Sequence, residues 1–141
     1  GQSGVVQARP AKWLTQADVQ KQSVRGGGWC ALEPQFQLVY AFDGLVGNEG
    51  RTLESLVLDS EDWFVFATDH QRSFGSSKSL PAYLKAQPPN VGAEMRRRLA
   101  ALDEAALEAT LGDAVDARAR KAALQRRDAL LALPAAASAG R

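Results

Sequence analysis

Residues 36–74 restrict the possible folds of this chain more than any other stretch. Apolar side chains there fill two overlapping helical faces. Phe36, Val39, Tyr40 and Val46 lie on one, and Leu38, Ala41, Phe42 and Leu45 on the other. A helix apolar nearly all round belongs in an interior. Glu33-Pro34 opens it, since proline is tolerated in a first turn, and Gly47-Asn48 closes it, because both residues accept a left-handed conformation. A polar loop, 48–55, comes next. Leu56-Val57-Leu58 and the β-prone run 63–68 flank an Asp59-Ser60-Glu61-Asp62 turn and read as a hairpin. The second strand of that hairpin ends at Asp69-His70.

The rest of the chain reads as helix and punctuation. Residues 1–11 form a weakly ordered arm or an edge strand. Thr15 and Asp18 have capping-box spacing and start a short helix over about 16–23, which the glycines at 26–28 stop as a hinge. A second short helix over 80–85 starts at Ser79-Leu80-Pro81 and is broken by Gln87-Pro88-Pro89-Asn90. Three helices follow: one over 91–101, one from Asp103 as N-cap to before Gly112, and one from Asp116 as N-cap to about Leu133, where Pro134 stops it. The tail 134–141 has nothing to pack against and frays. The fold class is mainly α with a small β-hairpin (α+β). The expected division is an arm and short helix over 1–28, one lobe over 29–133, and a disordered tail over 134–141.

Composition narrows the function. With 141 residues, 45% apolar and 23% charged, the chain is long enough for one real core. A net charge of +1 provides no global field to draw nucleic acid. The basic groups Arg96-Arg97-Arg98, Arg118/Arg120/Lys121 and Arg126-Arg127 sit in amphipathic segments and read as solvated helix faces. Cys30 is the only cysteine and His70 the only histidine, which excludes an internal disulfide and a cysteine metal cluster. No apolar run approaches the roughly 20 residues of a membrane span, and no secretory leader is visible, so a cytoplasmic location is expected. The glycines at 26–28 lack phosphate-loop spacing and a preceding strand. Trp13, Trp29 and Trp63 read as packing residues. Asp43, on the buried helix, needs a partner, and Arg51 or Arg72 could provide one.

The order buried helix, Asn48-x-x-Arg51 loop, hairpin, Asp69-His70 resembles the C-terminal lobe of kinase-like phosphotransferases, in particular the atypical branch of phosphatidylinositol kinases and HipA-type kinases. Their loop reads Asn-x-Asp-Arg-x-x-x-Asn, and their later strand ends in Asp followed by His or Phe. The resemblance covers 36–74 and, more loosely, the helical tail through Leu124-Gln125-Arg126-Arg127-Asp128. It implies a protein-kinase-like lobe in which Asp69 is the Mg²⁺ ligand and Arg51 holds the loop through carbonyl or carboxylate contacts. Asn48 braces the loop backbone, Ser55 stands among the nucleotide-site residues, and Phe42 and Leu45 seat the helix.

The same alignment puts Gly50 where the catalytic Asp belongs and Ser55 where the metal-binding Asn belongs. No confident catalytic residue is left. Phosphoryl transfer depends on metal ligands and a positioned carboxylate, so the resemblance implies weak Mg²⁺–ATP binding at most, without efficient transfer. About 35 residues precede the buried helix, with no strand lysine to serve an N-terminal lobe; Lys12 and Lys21 read as surface lysines. The chain begins without Met, as an excised or processed piece would. Three readings follow: a degenerate kinase-like lobe, a non-enzymatic interaction scaffold, and a fragment of a longer kinase. The acceptor or protein partner is unspecified.

Overall fold

The computed structural model describes residues 11–26 and 31–135. All but the last residue of the expected arm over 1–11, most of the glycine hinge with Trp29 and Cys30, and the end of the tail lie outside them. No helix among the described residues is long and apolar enough to cross a membrane. The chain divides into two compact units, one of Gly1–Phe36 with Arg51–Asp69 and one of Gln37–Gly50 with His70–Arg141.

The first unit is built on a small antiparallel sheet. β1 (Trp13–Thr15), β2 (Leu56–Asp59) and β3 (Val65–Ala67) lie in that order. The expected hairpin is β2–β3, with Leu56 opposite Ala67 and Leu58 opposite Val65. Sequence reading missed the third strand: Trp13 pairs with Asp59 and Thr15 with Val57. Three residues are too few to show a period of two, so β1 is recognisable only by its pairing. β2 is central, and Leu56, Val57 and Leu58 are all fully buried. The Asp59 carboxylate accepts from the amides of Glu61 (2.8 Å) and Asp62 (3.3 Å), which shapes the expected turn. Gln35 closes the edge of β3 by donating to the Trp63 carbonyl and accepting from the Val65 amide, both at 2.9 Å.

Thr15 ends β1 and caps α1 (Gln16–Gln22), as the spacing predicts. Its hydroxyl accepts from the Asp18 amide while the Asp18 carboxylate accepts from the Thr15 amide and hydroxyl. The helix stops at Ser23, which is left-handed at φ 51°, before the glycines are reached.

The second unit is helical. α2 (Leu32–Val46), whose first residues belong to the first unit, contributes most of its length here. α3 (Ala82–Ala86), α4 (Ala93–Ala101), α5 (Glu104–Leu111) and α6 (Ala117–Ala132) follow, close to their expected limits. Asp103 and Asp116 cap α5 and α6 as predicted, each accepting a backbone amide at 2.8 Å. The core gathers Ala41, Leu80, Val91, Leu99 and Leu130. Gly44 permits the close approach of α2, for a Cβ there would sit 3.1 Å from Leu130 and 3.3 Å from Leu84. One expectation fails on α2. It is not buried all round, since Leu38 is 57% and Phe42 41% exposed.

The arginines of the tail do not form simple solvated faces either. Arg97 and Arg98 fit that reading, paired with Glu94 on the surface. Arg96 instead donates to the carbonyls of Leu131, Leu133 and Pro134, satisfying the end of α6. Arg120 donates to Gly112 and Val115, and Arg127 to Leu102. Arg126 is completely buried and donates to the carbonyls of Leu45 (3.0 Å), Gly75 (3.3 Å) and Ser77. Burial pulls its guanidinium below the ordinary arginine range, with the Glu49 charge opposing.

α2 ends against this group. The Asn48 amide bonds back to the Asp43 carbonyl at 2.9 Å across Gly47, which has φ +68°. That is the six-to-one closure of a Schellman motif. A Cβ on Gly47 would lie 2.8 Å from the Arg126 guanidinium carbon.

Two predictions follow from these elements. Gly47→Ala meets both left-handed strain and a buried guanidinium, and should cost about 2 kcal/mol or more. Gly75→Ala, where nothing lies within 4 Å, should stay within about 0.5 kcal/mol of wild type; urea denaturation of both variants checks the contrast. The second concerns acid. Hydrogen bonds from the Thr15 backbone and then its side chain hold the Asp18 carboxyl below its ordinary value. Its stabilisation is therefore complete above the unfolded value and disappears as pH falls through the folded one. The melting-temperature gap between wild type and Asp18→Asn should be open at about pH 6 and narrow as pH falls below the ordinary aspartate range.

Candidate functional site

The residues singled out by sequence fall in both units. Arg51, Ser55 and Asp69 belong to the first, and Asn48 and Gly50 to the second.

In the first unit the chain leaves Arg51, makes a 3-10 turn over Leu53–Ser55 and enters β2. Ser55 is buried at this junction. Its carbonyl accepts from the Thr68 amide (2.9 Å), the Thr68 hydroxyl (2.9 Å) and Arg51 Nη1 (3.2 Å). Its hydroxyl accepts from Arg51 Nη1 and from the Thr52 amide, and donates to the Thr52 carbonyl, each at 3.0 Å. A serine hydroxyl has one proton and two lone pairs. All three are in use inside the loop.

Arg51 reaches further. The same Nη1 also donates to the Thr68 carbonyl. The arginine therefore ties the loop to the last residue before Asp69, joining the start of the hairpin to its end. The carboxylate-bearing residue itself is exposed and left-handed at φ 58°, a conformation that aspartate tolerates better than most residues.

In the second unit Asn48 is fully buried. Its Oδ1 accepts from the Gly50 amide at 3.0 Å, and its Nδ2 donates to Asp43 Oδ1 at 3.2 Å. The other oxygen of Asp43 accepts from the Tyr83 hydroxyl at 3.1 Å. The buried carboxylate thus has neutral donors within its own unit. Arg72 is not one of them. Its aliphatic stem lies over Gly50, where an added Cβ would stand 3.1 Å from Arg72 Cδ and 3.4 Å from Asn48 Oδ1. The Glu49 amide donates to the Arg72 carbonyl (3.4 Å), and the Phe74 amide to Val46 (2.6 Å), so 70–74 returns beside the end of α2. His70 meets Phe42 edge-on, with ring centroids 5.7 Å apart.

The group the resemblance implies is Mg²⁺–ATP. Mg²⁺ takes oxygen ligands in near-ideal octahedral geometry, commonly one or two carboxylates plus phosphate oxygens. The Ser55 hydroxyl is saturated within the loop, Asn48 has its oxygen and a nitrogen engaged, and position 50 has no side chain. Asp69 is the one carboxylate among the four side-chain positions 48, 51, 55 and 69. Within the first unit, Asp69 and the saturated Ser55 hydroxyl make a poor donor set for Mg²⁺.

Sequence reasoning missed Thr52, Thr68 and Tyr83. Thr52-x-x-Ser55 has the spacing of a local Ser/Thr capping pattern, and that signal was legible. Thr68 and Tyr83 lie 13 and 40 residues from the groups they serve, and no local pattern marks such a pair. Comparison with protein-family models, with curated proteins and with solved structures found no match to this chain.

Removing the Ser55 hydroxyl takes the acceptor of the Thr52 amide and one donor to the Thr52 carbonyl, and leaves Arg51 Nη1 with the Ser55 and Thr68 carbonyls alone. Ser55→Ala should cost about 1–3 kcal/mol. Arg51→Lys should cost a comparable amount, because an ammonium on a flexible stem does not reproduce the planar guanidinium that bridges Ser55 and Thr68. Exposed Glu54→Ala should stay within about 0.5 kcal/mol of wild type. Urea denaturation of the three variants distinguishes a structural brace from a solvated loop.

Proposed function

We propose that the chain is a degenerate kinase-like C-lobe, in which a loop of the catalytic type serves as a structural brace and phosphoryl transfer is not efficient. The observation that carries this reading is the closure of the loop's polar groups on itself. Arg51 grips the Ser55 carbonyl and hydroxyl and the Thr68 carbonyl, while Asn48 holds the Gly50 amide. Contacts of this holding and bracing kind support the reading. The two chemical positions carry glycine and a saturated serine. Losing a positioned general base typically costs ~10²–10⁴ in rate, so braces kept while the base is absent favour scaffold over catalyst. Any remaining nucleotide affinity would rest on Asp69 and be weak.

A second reading, a protein-interaction module on the same lobe, is favoured by the small sheet. Trp13, Phe64 and Phe66, in the sheet and its turn, are 43–44% exposed, and exposed apolar patches mark interaction sites.

Incubation of the purified chain with Mg²⁺ and labelled ATP should give no autophosphorylation and no ATP hydrolysis above background. Asp69→Ala should leave that result unchanged. Robust transfer abolished by Asp69→Ala would overturn the proposal. Melting temperature separates the two readings: a small rise with Mg²⁺–ATP that is lost in Asp69→Ala favours the nucleotide-related lobe, and indifference to ATP favours the interaction module.

A further inference from the structure

An open groove of about 460 Å³ runs along the start of α6 in the second unit. One wall is the 76–78 loop, with Ser76 and Lys78. The other is a stripe of α6 that presents Arg118, Lys121, the buried Ala122 and Gln125 at helical spacing. We infer that this groove binds a compact, multiply charged phosphate, such as a small organic bisphosphate, through Lys78, Arg118 and Lys121. The inference is independent of the kinase-like reading, for none of these residues belongs to the 48–69 segment.

Three observations support it. The first is unbalanced charge. Lys12, Arg97, Arg98, Arg120 and Arg127 each have a carboxylate partner. Lys78, Arg118 and Lys121 converge on one groove with no such partner among the described residues, and no carboxylate lines it. Asp116, in the adjoining cap, is held on the Ala119 amide.

The second is rigidity. The carbonyls on both sides of Ser76, those of Gly75 and Ser77, accept from the fully buried Arg126 guanidinium, which stands on α6 beside Gln125. Loop and helix walls are thereby fastened to each other, so the backbone that carries the cations is set before a ligand arrives. Preorganisation of this kind lowers the cost of binding.

The third is the chemistry of the lining. Two ammonium groups, a guanidinium fork, a hydroxyl and a carboxamide are donors suited to phosphate oxygens. No aromatic side chain lines the groove, so nothing there stacks on a nucleobase. The volume lies in the small-molecule range of about 300–1,000 Å³.

Pyrophosphate is the probe, titrated by calorimetry at constant ionic strength into the full chain. It should bind saturably with one site. The exposed triple variant Lys78→Gln/Arg118→Gln/Lys121→Gln should weaken binding about ten-fold or more, whereas Arg97→Gln/Arg98→Gln, an equally exposed basic pair on α4, should not change it. ATP should bind no more tightly than pyrophosphate. Vesicles of phosphatidylcholine with phosphatidic acid distinguish the ligand's source: capture lost in the triple variant identifies a phosphorylated headgroup, and its absence beside pyrophosphate binding identifies a free phosphate. Absence of both, equal binding by the triple variant, or equal loss in the Arg97/Arg98 control would each overturn the inference. A circular-dichroism melt of the triple variant matching wild type excludes unfolding as the cause of lost binding.

Discussion

The buried guanidinium of Arg126 is the contact on which the second unit depends most. A cation out of water is costly unless its protons find acceptors. Here the acceptors are backbone carbonyls at the end of α2 and in the 75–77 loop. Segments far apart in sequence are thereby fastened to one point on α6. The same group explains the glycine at 47: the left-handed turn that ends α2 passes so close to the guanidinium that no side chain fits. With Nη2 lacking a partner among the described residues, the cage is incomplete. The depressed pKa of the guanidinium reflects that burial.

Arginine plays a comparable part at smaller scale elsewhere. Arg51 fastens loop to strand in the first unit, and Arg96, Arg120 and Arg127 fasten carbonyls at helix ends in the second. In each case a guanidinium N–H reaches main-chain oxygens at the ends of helices or strands. A loop held in this way keeps its shape whatever chemistry its other side chains retain. That is why serine at 55 is compatible with an ordered loop while fitting a metal poorly. The serine hydroxyl has become part of the brace itself.

Elements with a strong local signal were legible before the structure. Thr15 and Asp18, Asp103, and Asp116 mark helix starts through their own hydrogen bonds, and Gly47, Gly112 and Pro134 mark ends. The β2–β3 hairpin followed from two apolar runs around an acidic turn. Less legible was anything set by partners remote in sequence. The pairing of Trp13–Thr15 with β2, the Tyr83 hydroxyl on Asp43, and the exposure of Leu38 and Phe42 all depend on which surfaces meet.

By itself, then, the sequence determined the order, type and ends of the elements, because capping, glycine conformation and apolar spacing act within a few residues. It also determined that position 50 has no side chain and that position 55 carries only a short hydroxyl. Tertiary structure alone decided what the charged residues do. Arg96, Arg118, Arg120, Arg126 and Arg127 lie in one class of amphipathic helix, and nothing local separates them. Yet one of them is wholly buried on carbonyls while Arg118 lines an open groove. The physical reason is that an arginine's role depends on which acceptors the fold brings within reach of its long side chain, and those acceptors come from distant parts of the chain.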